Sequence, residues 1–258
     1  MFDFHSDKKR YFDIQHWVTK EYIIPYLDLK KSSHILEIGC AEAGVLKAFL
    51  EAGHTCTGIE LSSARAEIAS TFLEKEIKSG KAQIINKNIY DIENEDSFKF
   101  DVVVLKDVIE HIPDHEKFLI KLKDLLNEDG LVFFAYPPWW MPFGGHQQIC
   151  KSNILSKTPW FHLLPSAIYK KVLELFQEPK NVIDELMDIK STCLISDQLH
   201  FLLKKQNYQI IKETYWLTNP IYVKKFGFNP LKSHLNIPYL RNIYCTAHYV
   251  LFRLGKGN

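Results

Sequence analysis

The residues with the most chemistry in them stand at the ends of short apolar runs. Glu37-Ile38-Gly39-Cys40-Ala41-Glu42-Ala43-Gly44 lies where ILEI (35–38) gives way to a helical pattern, AGVLKAFLEAG (43–53). Small residues in such a turn let the backbone approach a ligand, and the helix N-terminus offers N–H groups without intrahelical partners. Glu60 closes the next run, HTCTGIEL (54–61), roughly 20 residues beyond Gly39, where a carboxylate can accept both hydroxyls of a ribose. After the third run, QIINK (83–87), comes Asn88-Ile89-Tyr90-Asp91. Asp91 can accept from an adenine amino group there, while Ile89 and Ile92 flank the ring. The bland alternative is a tight turn at Gly39 and Gly44, a solvated Glu60, and Asp91 as a turn cap. Two ligands fit the turn itself, because Gly-x-Ala-x-x-Gly alone does not separate them. A dinucleotide would set its pyrophosphate on the helix N-terminus, where Glu42 repels it. Glu37 inside the turn suits a cationic amine or sulfonium, which favours a nucleoside without phosphates.

A second group of residues offers an acceptor site. Pro137, Pro138, Trp139, Trp140, Met141 and Phe143 follow the run LVFFAY (131–136), and Trp160, Phe161 and His162 can add a second wall. Aromatic walls with few polar groups describe a small-molecule pocket; the same rings can equally be the segment's own core. His146, in Gly144-Gly145-His146-Gln147, follows what looks like a flexible turn, and an ordinary pKa of ~6.5 suits it to take a proton near neutral pH. His111, in Glu110-His111-Ile112, is the second candidate, with turn anchoring as its alternative role. No short spacing brings His146, His162, Asp184 and Asp188 together, so no metal site is expected. Lys224, Lys225, Lys232 and Arg241 can meet an anionic acceptor or form a solvated face.

Positioning these groups requires strands that alternate with helices. ILEI, HTCTGIEL, QIINK, DVVVL (101–105) and LVFFAY are spaced by helical patterns over 43–53, 62–80 and 114–128, which specifies βαβ units and a parallel sheet covered on both faces. Before them, residues 1–31 form an amphipathic helical cover for one edge of the core, interrupted at Pro25. Residues 137–194 break the rhythm and are too long for an ordinary connection, so they form an inserted cap. The α/β pattern resumes with a helix at 196–206 and strands at 208–217 and 242–254. One domain, 32–136 with 195–258, therefore carries a cap at 137–194.

The stretch LEIGCAEAGVL, with Glu60, Asp91 and DVVVLKDVIEHIPDHEKFLIKLKDLLNEDGLVFF, resembles the class I S-adenosylmethionine-dependent methyltransferases over roughly residues 33–136. The resemblance implies a Rossmann-like, mostly parallel seven-stranded sheet whose last strand, 242–254, inserts antiparallel. It also implies that S-adenosylmethionine is the cofactor. Glu37 and Gly39 would then face its methionine end, Glu60 the ribose and Asp91 the adenine, with Lys106 and Asp107 bordering the methionine part. Cys40, Ala41, Leu61, Asn88 and Ile89 complete the expected cofactor side. Ala41 and Ala43 stand where many relatives have glycine, a change that costs little unless φ is positive there.

Composition narrows the partners. Among 258 residues, 32 Lys and Arg face 31 Asp and Glu, a net charge of +1 that argues against a broad nucleic-acid face. A 46% hydrophobic content supports a full globular core. Cys40, Cys56, Cys150, Cys193 and Cys245 form no CxxC pair, and no apolar run reaches the ~18 residues of a membrane span, so a reducing, cytoplasmic setting is expected. Nothing specifies an oligomeric state. The expected activity is methyl transfer to a small organic acceptor at oxygen, with His146 or His111 moving the proton and Trp139, Trp140, Phe143, Trp160 and His162 lining the pocket. Transfer to a macromolecule, a nucleoside-binding module without turnover, and an NAD-dependent oxidoreductase are the competing readings.

Overall fold

A computed structural model describes residues 7–29, 31–92 and 98–255. The first six residues and Lys30, part of the expected N-terminal cover, lie outside that description. Eight strands form one sheet in the order β3-β2-β1-β4-β5-β8-β6-β7. The parallel half comprises β1 (His34–Ile38), β2 (Thr55–Ile59), β3 (Ala82–Ile85), β4 (Phe100–Lys106) and β5 (Leu126–Tyr136). β8 (Ala247–Leu254) inserts antiparallel between β5 and β6 (Tyr208–Thr218), pairing Tyr136 with His248 and His248 with Tyr215. A two-residue edge strand, β7 (Leu231–Lys232), adds an eighth strand to the seven expected.

Alternation along the central strands explains the two-sided burial. Val103 and Leu105 of β4 and Val132, Phe134 and Tyr136 of β5 enter one core; Val102, Val104, Phe133 and Ala135 enter the other. Successive strand side chains point to opposite faces, so a continuous apolar run demands cover on both. That cover comes from α3 (Gly44–Glu51), α4 (Ser63–Phe72), α5 (Glu74–Lys78), α6 (His115–Asp124) and α9 (Ser196–Lys205), with α1 (Lys8–Val18), a π-helical turn and α2 (Ile24–Leu27) ahead of the sheet.

Several boundaries move for local reasons. The helix expected over 62–80 breaks at Leu73, whose φ of −106° and ψ of 18° leave helical geometry. The helix expected over 114–128 starts after Asp114, whose carboxylate accepts from the Lys117 N–H, and ends at Asp124. Leu126 then already pairs with Phe100, and the register slips before Leu131 pairs with Val102. The strand expected from residue 242 begins at Ala247, because Arg241–Tyr244 coil into a short helix, α11.

Between β5 and α9, single 3-10 turns lead into α7 (Ser166–Leu175) and α8 (Lys180–Thr192). Cys150, Leu155, Phe161, Tyr169, Leu173, Val182, Ile183 and Leu186 make a separate apolar cluster there. The C-terminal end of α8 rests on the turn after β4, where the Thr192 hydroxyl donates to the Glu110 carbonyl. A short helix, α10 (Tyr222–Phe226), follows β6. Among the described residues no helix is long and apolar enough to cross a membrane.

Candidate active site

The carboxyl ends of β1 to β5 form one rim, and the expected cofactor residues sit along it. β1 and β2 end in register at Ile38 and Ile59, and β2 and β3 at Ile59 and Ile85. The Asn86 amide donates to the carbonyls of Glu60 and Leu61, which ties the Asn88–Asp91 turn to the same edge as Glu60. Glu60 and Asp91 therefore follow adjacent strand ends.

Gly39 has φ +71°, and a Cβ there would lie 2.7 Å from a Val108 methyl, so only glycine makes this turn. Ala41 (φ 48°) and Ala43 (φ 63°) are also left-handed. The alanine substitutions are thus not free: each residue carries on the order of 1–2 kcal/mol of strain that glycine would not. Gly44 serves packing, since a Cβ on it would lie 2.4 Å from the Phe12 carbonyl oxygen of α1.

The Glu60 carboxylate accepts from the Ala41 N–H through Oε2 and from the Ser62 N–H through Oε1, both at 2.8 Å. Each oxygen keeps lone-pair capacity, so two ribose hydroxyls can still donate to it. Leu61 is 71% exposed and Ile89 is buried, which supplies an apolar ledge and floor for a base. The Asn88 side chain, not Asp91, caps the turn by accepting from the Tyr90 N–H, and the exposed Asp91 is not spent on that role. Cys40 is buried, so only its backbone faces the rim. Glu37 is 3% exposed, its Oε2 has no hydrogen-bond partner, and burial pushes its carboxyl well above the usual range against the pull of Lys106. A buried carboxyl with one unsatisfied oxygen at the turn fits a cationic ligand group. These features together fit S-adenosylmethionine.

Two sequence expectations about this rim change. Glu42 is not a free repulsive charge, because Lys8 Nζ (3.2 Å) and Arg65 Nε (3.4 Å) pair with its buried carboxylate. The N-terminal cover does more than close an edge. α1 lies across the rim with Tyr11 half-buried on it; partial removal from water pushes that hydroxyl above its ordinary pKa, with Asp107 adding to the effect. Tyr11 and Gln15 carried no sequence signal beyond the amphipathic pattern.

Past β4, Lys106 ion-pairs with Asp107, which sits in the left-handed region at φ 54°. Burial opposes ionisation of Asp107, yet Lys106, Lys225 and His146 hold its carboxyl below the usual range. Three residues on, the Glu110 side chain is 5% exposed and neither oxygen accepts a hydrogen bond. Burial, then the charge of Asp107, pushes its carboxyl well above the usual range. Glu110 Oε1 lies 3.7 Å from His146 Nε2, and the His111 and His146 rings meet edge to face at 5.0 Å. Their ligand atoms lie within 4.8 Å of one another. The two candidate histidines are thus brought together, with a glutamate that the sequence reading missed although it adjoins His111.

The aromatic wall divides. Trp139 is 7% exposed, and its ring stands edge-on to His162 at 4.7 Å. His162 is fully buried: Nε2 bonds the Trp139 carbonyl (2.8 Å) and Nδ1 meets the Gln147 amide (3.2 Å). Burial lowers its pKa to about 4. Trp139 and His162 are therefore held within the segment's own packing instead of on an open wall. Trp140 and Phe143 are half-buried and Trp160 is 43% exposed; these three remain for an acceptor. Gly144-Gly145 is not a flexible turn either. A Cβ on Gly145 would lie 2.3 Å from His162 Cβ, and one on Gly144 2.3 Å from the Trp139 carbonyl oxygen. Gly145→Ala is expected to destabilise the fold by about 1–3 kcal/mol through overpacking, measured by urea unfolding. Wild-type stability in that variant would contradict the packing described here.

His162 and His248 share a pH consequence. Burial holds both imidazoles neutral, with pKa values of about 4 against an ordinary 6.5. Between those values the unfolded chain binds more protons than the native one, so stability rises with pH. The contribution is full above pH ~6.5 and is lost as pH falls towards 4, on the order of 3 kcal/mol per residue. Urea midpoints at pH 7, 5.5 and 4.5 test this, and a flat series contradicts it.

A family model described as "Methyltransferase domain" matches residues 13–213. The chain belongs to the class I S-adenosylmethionine-dependent methyltransferases. Among curated relatives, the ubiquinone biosynthesis O-methyltransferase of Coxiella burnetii is 27% identical over 120 residues, 46% of this chain and 49% of that protein. The match thus spans about half the length of that relative. The enzyme of the same name from Actinobacillus pleuropneumoniae is 24% identical over 196 residues, 72% of this chain and 74% of its own. Two solved structures share the fold. One is the magnesium protoporphyrin IX methyltransferase of Synechocystis PCC 6803 with bound SAH (TM-score 0.54, 12% identity, 98% of this chain and 88% of that one). The other is a possible histamine N-methyltransferase from Thermotoga maritima (TM-score 0.56, 13% identity, 96% and 95%). The mostly parallel sheet with antiparallel C-terminal strands is the fold of this methyltransferase family.

Proposed function

We propose that this methyltransferase moves the methyl group of S-adenosylmethionine to an oxygen of a small, aromatic organic acceptor. The observation that carries the reading is the convergence of Glu110, His111 and His146 beside Asp107, on the rim that also holds Glu37, Gly39, Glu60 and Asp91. The sulfonium supplies an already activated methyl, so this chain's residues need only bind, orient, exclude water and take a proton. Glu60 and Asp91 hold the nucleoside, Glu37 and Lys106 flank its methionine end, and α1 closes over the rim. Trp140, Phe143 and Trp160 receive the acceptor's ring, and His146, oriented by Glu110, takes the hydroxyl proton. The printed names of the curated relatives, O-methyltransferases of ubiquinone biosynthesis, support an oxygen acceptor of this kind. Cap residues 137–194 serve as the acceptor-binding segment.

Incubation of purified protein with S-adenosylmethionine and a panel of phenols, catechols and aromatic amines tests the proposal. Formation of methyl ethers with stoichiometric S-adenosylhomocysteine supports it. Turnover on amines alone, or on none of these while a nucleic acid or protein is methylated, overturns the acceptor assignment.

A further inference from the structure

We propose that Glu110, His111 and His146 form a binding site for one divalent transition ion of the zinc class. Two imidazoles and one carboxylate are the donor set that such ions prefer, whereas magnesium and calcium favour oxygen alone. The three ligand atoms lie within 4.8 Å of one another, so small side-chain rotations close them on an ion with bonds of ~2.0–2.2 Å.

The independent observation is the state of Glu110. Its side chain is 95% buried, both oxygens lack a hydrogen bond, and Oε1 points at His146 Nε2 from 3.7 Å. A buried carboxyl whose oxygens accept no hydrogen bond is costly, and a cation is a ligand that removes the cost.

A second cluster in the same chain, His200, Glu213 and His248, has the same donors and serves as an internal contrast. There Glu213 Oε2 is already engaged by His200 Nε2 (2.8 Å) and the Tyr215 hydroxyl (3.1 Å). His248 Nδ1 meets the Tyr136 hydroxyl at 3.0 Å, and Arg241 approaches His200 Nδ1 at 3.3 Å. Arginine can only donate, so His200 carries its proton on Nε2 and has no lone pair there for a metal. In that cluster the Glu213 carboxylate is already taken up by hydrogen bonds, whereas neither Glu110 oxygen in the first accepts one.

The ion's role rests on the acceptor reading above. A hydroxyl bound to it loses its proton to solvent more readily, and the resulting oxygen takes the methyl as the S–CH3 bond breaks and its electron pair returns to sulfur. The products are the methyl ether, S-adenosylhomocysteine and one released proton. With the ion in place His146 is a ligand, and coordination replaces it as the means of deprotonation.

Titration of untagged, chelator-treated protein with Co2+ and Zn2+, without cofactor or acceptor, tests the site separately from the activity. One ion per chain is expected, with visible Co2+ absorption. Affinity should fall at least ten-fold in Glu110→Gln and in His111→Ala, and stay unchanged in His200→Ala. Because His111 is exposed, its variant retains the fold even if Glu110→Gln does not. No binding at tens of micromolar ion, or binding lost only in His200→Ala, overturns the site. Ion binding with turnover on a hydroxyl acceptor unaffected by chelation overturns its role in deprotonation.

Discussion

Glu60→Ala is expected to weaken S-adenosylmethionine binding about 100-fold, a loss of ~2.7 kcal/mol. Hydrogen bonds to a charged group contribute ~1.5–3 kcal/mol each, and the carboxylate has room for two ribose hydroxyls beyond the N–H groups it already holds. The same oxygens accept from Ala41 and Ser62, so the variant also loosens the turn that carries Gly39. Leaving those N–H groups without acceptors costs about 1–3 kcal/mol of stability. Circular dichroism at the temperature of a calorimetric titration separates the two effects. A folded variant that binds within three-fold of wild type would contradict the ribose assignment.

In chelator-treated protein, His146→Ala should lower kcat on a hydroxyl acceptor by 10²–10⁴-fold, the range that a positioned proton-transfer group supplies, while cofactor affinity changes little. The expectation follows from the 3.7 Å approach of His146 to buried Glu110 and from its place opposite His111. Single-turnover rates, with cofactor Kd measured alongside, check it. Full activity in the variant would remove His146 from the chemistry and leave the cofactor site intact. His162→Ala gives the contrast. That ring is fully buried and bonded to Trp139 and Gln147, so its loss should appear chiefly in stability.

The parallel half of the fold was legible because its physics is local. Apolar runs bounded by turn residues specify buried strands, and the Glu37–Gly44 turn follows from one of them. The gathering of Glu37, Gly39, Glu60 and Asp91 along one rim was legible for the same reason, since each lies at or just past a strand end. Side-chain partnerships across long separations were not. Nothing in the sequence indicates that Lys8 pairs with Glu42, that Tyr11 of α1 approaches Asp107 at the rim, or that Gly145 packs on His162. His146 and His162 illustrate the limit well. Both follow aromatic residues in the same inserted segment, yet one faces the buried Glu110 and the other is locked between a carbonyl and an amide. Glu110 was passed over because a glutamate beside a histidine on a short turn ordinarily faces solvent; its burial comes from α8 resting on that turn. The positive φ at Ala41 and Ala43 was likewise visible only in three dimensions.

Isothermal titration of the wild-type protein with S-adenosylhomocysteine addresses the cofactor site most directly. One site per chain with a micromolar Kd is the result expected from a rim built of Gly39, Glu60 and Asp91. Absence of heat at millimolar ligand, with the protein shown to be folded, would contradict it.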